Sequence, residues 1–174
     1  MKRIIALSLL CAPVLPALTY AEDLTENRVE SHAANYVGIA VSKLTSGVAG
    51  TGAAIMVGHH YNENLAVEVA YADSGAVNKT VEPTTVTSIA AVGFLPLAAG
   101  FEAYGRLGYA AAQTKDAAGL SASHSDITYG VGVEYSLNEN YSLGLGWDRV
   151  RVGDNVVIPR ANENSYALSL VRHF

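Results

Sequence analysis

The chain has 174 residues, enough for one domain, with 11 basic and 16 acidic side chains. That acidic balance, with no Lys/Arg cluster, excludes a general nucleic-acid binder, which has to neutralise phosphates. Cys11 is the single cysteine, so the disulfide framework that staples many small exported domains is excluded too.

The first element in chain order is a leader. Lys2 and Arg3 precede an apolar run over 4–18, and "LTYAED" offers a small-residue cleavage site after Ala21. This pattern predicts a cleaved secretory signal peptide over 1–21. The run is too short for a membrane span and is broken by Pro13 and Pro16. Leu10 precedes Cys11, which argues against a lipidated cysteine. Without Lys2 and Arg3, the remaining 9 basic and 16 acidic residues leave a net charge of −7. Residues 22–34 read as a polar leader.

From residue 35 to 174 the sequence alternates at period 2, with no sustained helical period. Eight runs rich in Val, Ile, Thr, Tyr and Leu are predicted as strands: 36–43, 52–61, 65–73, 85–95, 101–113, 125–137, 141–152 and 164–174. Short connections at 62–64, 96–100 and 138–140 alternate with longer ones at 44–51, 74–84, 114–124 and 153–163. Two hairpin exits resemble each other, "YNENLAVEVAYAD" and "LNENYSLGLGWDR", either by descent from a repeated hairpin or, as the shortness of the match favours, as two solutions to one turn problem. Short turns at one end and long loops at the other predict an eight-stranded antiparallel up-and-down transmembrane β-barrel.

The two faces of each run differ in size. Tyr141, Leu143, Leu145 and Trp147 oppose Ser142, Gly144, Gly146 and Asp148; Leu65, Val67, Val69 and Tyr71 oppose Ala66, Glu68, Ala70 and Ala72. Glycine weakens a strand unless space is limiting, and space is limiting inside a narrow barrel. The small face is therefore expected inside and the large apolar face outside, in lipid. The alternative is a soluble periplasmic lipocalin-like binding barrel with the faces reversed. For the fourth run, Val86, Ser88, Ala90, Val92 and Phe94 are expected outward. Tyr61, Phe94, Phe101, Tyr135, Tyr141 and Phe174 are expected as an aromatic girdle near the short turns.

Glu68, Glu102, Arg106, Glu134 and Asp148 fall on inward positions. Counted from the short turns at about 3.3 Å per residue, Glu68, Arg106 and Glu134 lie at similar depth. An Arg106–Glu134 ion pair is predicted, joined by Glu68. The network reads as a lumen gate or as a polar filling of the barrel; eight strands leave no wide channel.

"AYGRLGYAAAQT", "YGVGVEYSLNENYSLGLGWDRVRVGD" and the terminal "YALSLVRHF" resemble the eight-stranded outer-membrane barrels of the outer membrane protein A type. The resemblance implies a terminal assembly signal, Tyr166, Leu168, Leu170 and Phe174, read by the barrel-assembly machinery. Arg172 departs from the apolar residue usual at its position. It further implies location in the outer membrane and contact with lipid and lipopolysaccharide. A structural, envelope-integrity or surface-interaction role through the loops follows, with a host or surface ligand as a possible loop partner. The chain stops at Phe174, so the peptidoglycan-binding domain of some relatives is not expected.

An alternative is a lipid A-modifying barrel enzyme using His124, which stands among serines in "SASHSD". Adjacent His59 and His60 point to opposite faces of a strand, His59 to lipid and His60 to the lumen, and share no metal. Arg149, Arg151 and Arg160 are placed to meet lipopolysaccharide phosphates or to form a solvated rim. No cofactor, metal or catalytic residue is expected under the main reading.

Overall fold

The structure is a computed structural model that describes residues 34–44, 51–73, 85–115, 121–152 and 161–174. The expected signal peptide, the leader up to residue 33 and residues 45–50, 74–84, 116–120 and 153–160 of the long connections lie outside the described residues. Eight strands run in order: β1 Asn35–Leu44, β2 Thr51–Asn62, β3 Leu65–Asp73, β4 Thr85–Pro96, β5 Phe101–Lys115, β6 Ser121–Asn138, β7 Tyr141–Val152 and β8 Ala161–His173. Each pairs antiparallel with the next, and β8 pairs back onto β1, which closes the barrel.

β6 starts at Ser121 and β8 at Ala161, earlier than the apolar alternation begins. Ser121–His124 pair with Lys115–Ala112 of β5 although these residues carry no hydrophobic pattern. A hairpin ladder needs only backbone groups, so it continues past the apolar segment.

Closure is staggered. A row of partners runs from His60 through Ala66, Val92, Arg106, Gly130, Asp148 and Ser165 to Leu44 on β1. The His60 amide itself donates to the carbonyl of Ala34, the residue before β1 (2.8 Å). The row therefore returns ten residues from where it left, 44 against 34. Such a shear tilts the strands by about 40° from the barrel axis, within the usual range.

The apolar face lies outside. Ile39, Val41, Ile55, Val57, Val69, Leu107, Val131, Leu145 and Leu168 are all exposed, while Ala40, Met56, Ala66, Ala110 and Val171 are buried inside. β4 is the exception to the expected facing. Ala90, Val92 and Phe94 are 6%, 2% and 8% exposed and point inward, while Ile89 is 55% exposed. Both faces of this strand are apolar, so alternation carries no contrast. Its register decides, because cross-strand partners share a face: Val92 stands opposite Arg106, and Phe94 opposite Tyr104.

Phe94 therefore leaves the expected girdle. Tyr61, Phe101, Tyr135, Tyr141 and Phe174 remain exposed at the short-turn end, with the Phe101 and Tyr135 rings 4.8 Å apart. A second exposed set, Tyr71, Tyr109, Tyr129 and Tyr166, stands toward the long-loop end, where Trp147 meets Tyr129 edge-on at 6.1 Å. Two aromatic belts bracketing an aliphatic band match the two interfaces of a membrane.

The two Asn-Glu-Asn turns use one physical device. The Asn64 amide donates to Asn62 Oδ1 (2.9 Å). The Asn140 and Tyr141 amides donate to Asn138 Oδ1 (2.9 and 3.0 Å). Each asparagine side chain imitates a turn hydrogen bond, and the register shifts by one at His60/Asn62 and at Ser136/Asn138. The third turn, Ala98–Gly100, places Ala99 at φ 60° and Gly100 at φ 79°.

Asn62→Ala and Asn138→Ala are each expected to lower stability by about 1 kcal/mol, and Ala99→Gly to raise it by about 0.5 kcal/mol. Urea midpoints of the heat-sensitive gel mobility of the folded barrel check all three.

Candidate functional site: the lumen

The lumen is built from the small faces of the strands, and its large residues lie where glycine makes room. Tyr36 on β1 faces Gly58 on β2. A Cβ on Gly58 would overlap the Tyr36 ring. The ring lies across that glycine, and its hydroxyl donates to Glu68 Oε2 on β3 (3.0 Å). Tyr104 on β5 uses the same device, lying over Gly132 and Gly146. Gly130 leaves room for the Asp148 carboxylate, which a Cβ there would strike.

One cation organises the charges. Arg106 Nη1 lies 3.3 Å from Glu68 Oε1, and Arg106 Nε lies 3.5 Å from Asp148 Oδ1. The guanidinium also stands 5.2 Å from the Tyr104 ring centroid, a cation–π contact. The register explains this choice of partners. Arg106 faces Gly130, and Gly130 faces Asp148, so the arginine reaches over a residue with no side chain.

Glu134 is placed elsewhere. It stands opposite Glu102, four positions along β6 from Gly130. Among the described residues the ion pairs of Arg106 go to Glu68 and Asp148. The expected Arg106–Glu134 pair came from counting residues up from the turns, as if all turns lay level. The strand stagger and the shift at Ser136/Asn138 remove that equality. Glu68 does join Arg106, as its own depth suggested.

Toward the short turns, rings gather in the lumen. His60 lies 5.0 Å from Phe94 and 5.3 Å from Tyr36; Phe94 lies 6.4 Å from Tyr104; Tyr36 lies 6.0 Å from His173. Ser142 Oγ and His173 Nε2 are 3.0 Å apart. These rings come from β1, β2, β4, β5 and β8, an arc of neighbouring strands on the lumen side of the barrel. Toward the long loops the lumen carries Ala40, Ala54, Ala72, Ala110 and Ala112 instead. Reading the sequence by charge alone missed Tyr36, Tyr104, Phe94 and His173. The signal for Tyr104 was present, since it shares the phase of Glu102 and Arg106.

His59 is exposed on the outer face and His60 turns inward, as their adjacency required. No group of three or more metal-ligating side chains occurs among the described residues. The backbone of His124 lies in β6 opposite Ala112; its side chain, that of Arg151 and all of Arg160 lie outside the described residues. Tyr166, Leu168, Leu170 and Phe174 are exposed on one face of the last strand and its end. Phe174 is tied to β1 by Asn35 N–H to Phe174 O (3.2 Å) and Phe174 N–H to Asn35 O (2.9 Å).

Removing the cation while keeping its partners is expected to cost most. Arg106→Gln should destabilise the barrel by about 3–5 kcal/mol, whereas Glu134→Gln should change stability by less than about 1 kcal/mol because it relieves a facing carboxylate. Adding Glu68→Gln to Arg106→Gln should recover part of the loss. Separately, Gly58→Ala should cost about 1–3 kcal/mol through the displaced Tyr36 ring, and Tyr36→Ala should suppress most of that cost. Urea unfolding of each variant in detergent measures these differences.

The profile of the family described as "Outer membrane protein beta-barrel domain" matches residues 5–174. A comparison with curated proteins finds no match. The solved structures similar to this chain include the following three. The N-terminal β-barrel domain of Pseudomonas aeruginosa OprF shares 16% identity at a TM-score of 0.63, covering 82% of this chain and 99% of that one. Neisserial surface protein A shares 18% at 0.60, over 80% and 96%. The outer membrane enzyme PagL shares 15% at 0.55, over 80% and 99%. At such identities the likeness to solved structures concerns the fold. The family match and the closed eight-stranded barrel with its lipid-type exterior make the conclusion direct: this chain belongs to the outer membrane β-barrel family and resides in the outer membrane.

Proposed function

We propose that this protein is a non-enzymatic barrel of the outer membrane, serving envelope structure and surface interaction through its long loops. The observation that carries this reading is the gathering of rings and charges on the lumen side, which we read as filling its section. The rings of Tyr36, His60, Phe94, Tyr104 and His173 stand against the Arg106–Glu68–Asp148 cluster. A filled section leaves no wide pore, and eight strands enclose little space to begin with. What remains for function is the rim and the loops. In folds of this kind function belongs to the site, not the scaffold.

The last strand supports a second part of the proposal. Tyr166, Leu168, Leu170 and Phe174 present an outward apolar row, broken at Arg172, suited to recognition by the barrel-assembly machinery before closure onto β1. At the opposite end Arg149 continues the outward phase of β7, next to where lipopolysaccharide phosphates would lie.

The likeness to an outer membrane enzyme, PagL, keeps one alternative specific. A lipid A-modifying activity would use His124, at the long-loop end. The Ser–His contact within the described residues, Ser142–His173, stands at the short-turn end instead.

Planar-bilayer recordings should show no steady porin-sized conductance for the intact protein, and Tyr104→Ala with Phe94→Ala should raise it. A steady wide-pore current from the intact protein overturns the filled lumen. Mass spectra of lipid A from cells with and without the protein should be identical. A mass change abolished by His124→Ala would establish the enzyme instead.

A further inference from the structure

The lipid-facing wall carries few charges, and their distribution is uneven. Among the described outward positions, Lys43, Asp73 and Arg149 stand near the strand ends that lead to the long loops. Arg172 alone stands at the short-turn end. It is exposed, flanked on its own strand by Leu170 and Phe174, and set opposite Val37 on β1 and Tyr141 on β7. Its side chain makes no ion pair or hydrogen bond to the described residues. A guanidinium among apolar neighbours at the edge of a bilayer is costly unless an anion or water meets it.

A second polar group lies on the diagonal. Phe174 pairs with Asn35 through two backbone hydrogen bonds, which places Asn35 one step from Val37 along the seam where β8 meets β1. Diagonal positions on neighbouring strands are about 7–8 Å apart. The Asn35 side chain is held by His59, whose Nδ1 lies 2.9 Å from Asn35 Oδ1. With His59 donating, the oxygen of that amide is occupied and its NH2 group remains to donate outward. Arg172 and Asn35 therefore stand at diagonal outward positions, a spacing whose donors a phosphodiester can bridge. The apolar surface of Val37, Leu170 and Phe174 lies where acyl chains would begin.

We propose that the β8–β1 seam binds the phosphate of an anionic phospholipid of the periplasmic leaflet, with Arg172 as the principal ligand and Asn35, oriented by His59, as the second. Charge complementarity and the lipid-facing position select a lipid headgroup over a soluble anion. The departure at Arg172 from the apolar residue usual in the last strand then has a use: it fixes the seam to the leaflet that the short turns face.

The test uses the full chain reconstituted in mixed nanodiscs of phosphatidylcholine and phosphatidylglycerol, with retained lipids counted by native mass spectrometry. The wild type should retain phosphatidylglycerol over phosphatidylcholine by about fivefold, the preference expected for one basic group at an anionic interface. Arg172→Gln should bring the ratio to near parity, and Asn35→Ala should lower it in part. Lys43→Gln, at the opposite end, should leave it unchanged. Heat-dependent gel mobility confirms that each variant is folded. The proposal fails if Arg172→Gln keeps the wild-type ratio or if the wild type shows no preference. It also fails if Lys43→Gln removes the preference, or if excess inorganic phosphate displaces the lipid as readily from wild type as from Arg172→Gln.

Discussion

Closure of eight strands at a shear of ten is the constraint on which the rest of this molecule depends. A barrel of this size has an interior just wide enough for side chains to fill. Several large inward residues are admitted because a facing position is empty. Tyr36 crosses Gly58, Tyr104 crosses Gly132 and Gly146, and Asp148 stands over Gly130. The glycines are thus the complement of the rings and carboxylates, and the apolar side chains that a soluble protein would hide are turned outward. Gly108 shows the same limit in harder form, since a Cβ there would strike the backbone of Ile89 and Ala90.

Within that narrow space the charges follow one logic. Two carboxylates, Glu68 and Asp148, converge on one guanidinium, and the hydroxyl of Tyr36 supplies a further donor to Glu68. An arginine suits this position because its planar fork can meet two acceptors at once and still lie against a tyrosine ring. The arrangement links β1, β3, β5 and β7, alternate strands around the barrel. It braces the section from inside while the backbone ladders brace it from the wall.

The same architecture separates the scaffold from its use. The similar solved structures include a surface protein and an enzyme, so the barrel by itself does not select a chemistry. In this chain the rings gather toward the short turns, and the lumen toward the long loops carries mostly small residues, alanines among them. Groups that meet the outside world therefore belong to the rim and loops, and groups that meet lipid to the two aromatic belts and the few basic residues beside them.

Strand number, antiparallel order, turn positions and the inside-out distribution of side chains were legible in the sequence. Each depends on local alternation or on turn chemistry that a short window contains. The two Asn-Glu-Asn turns are the clearest case, because an asparagine side chain closing a turn needs no distant partner. Where both faces were apolar, as in β4, alternation carried no information, and the partners Arg106 and Tyr104 on the next strand decided that Val92 and Phe94 point inward. The ion-pair partners were likewise a tertiary matter. The sequence by itself determined that Arg106, Glu68, Glu134 and Asp148 share the lumen, since phase along a strand follows from the chain. Only the closed, staggered barrel decided that Arg106 meets Glu68 and Asp148 while Glu134 faces Glu102, because lateral neighbours depend on register between strands.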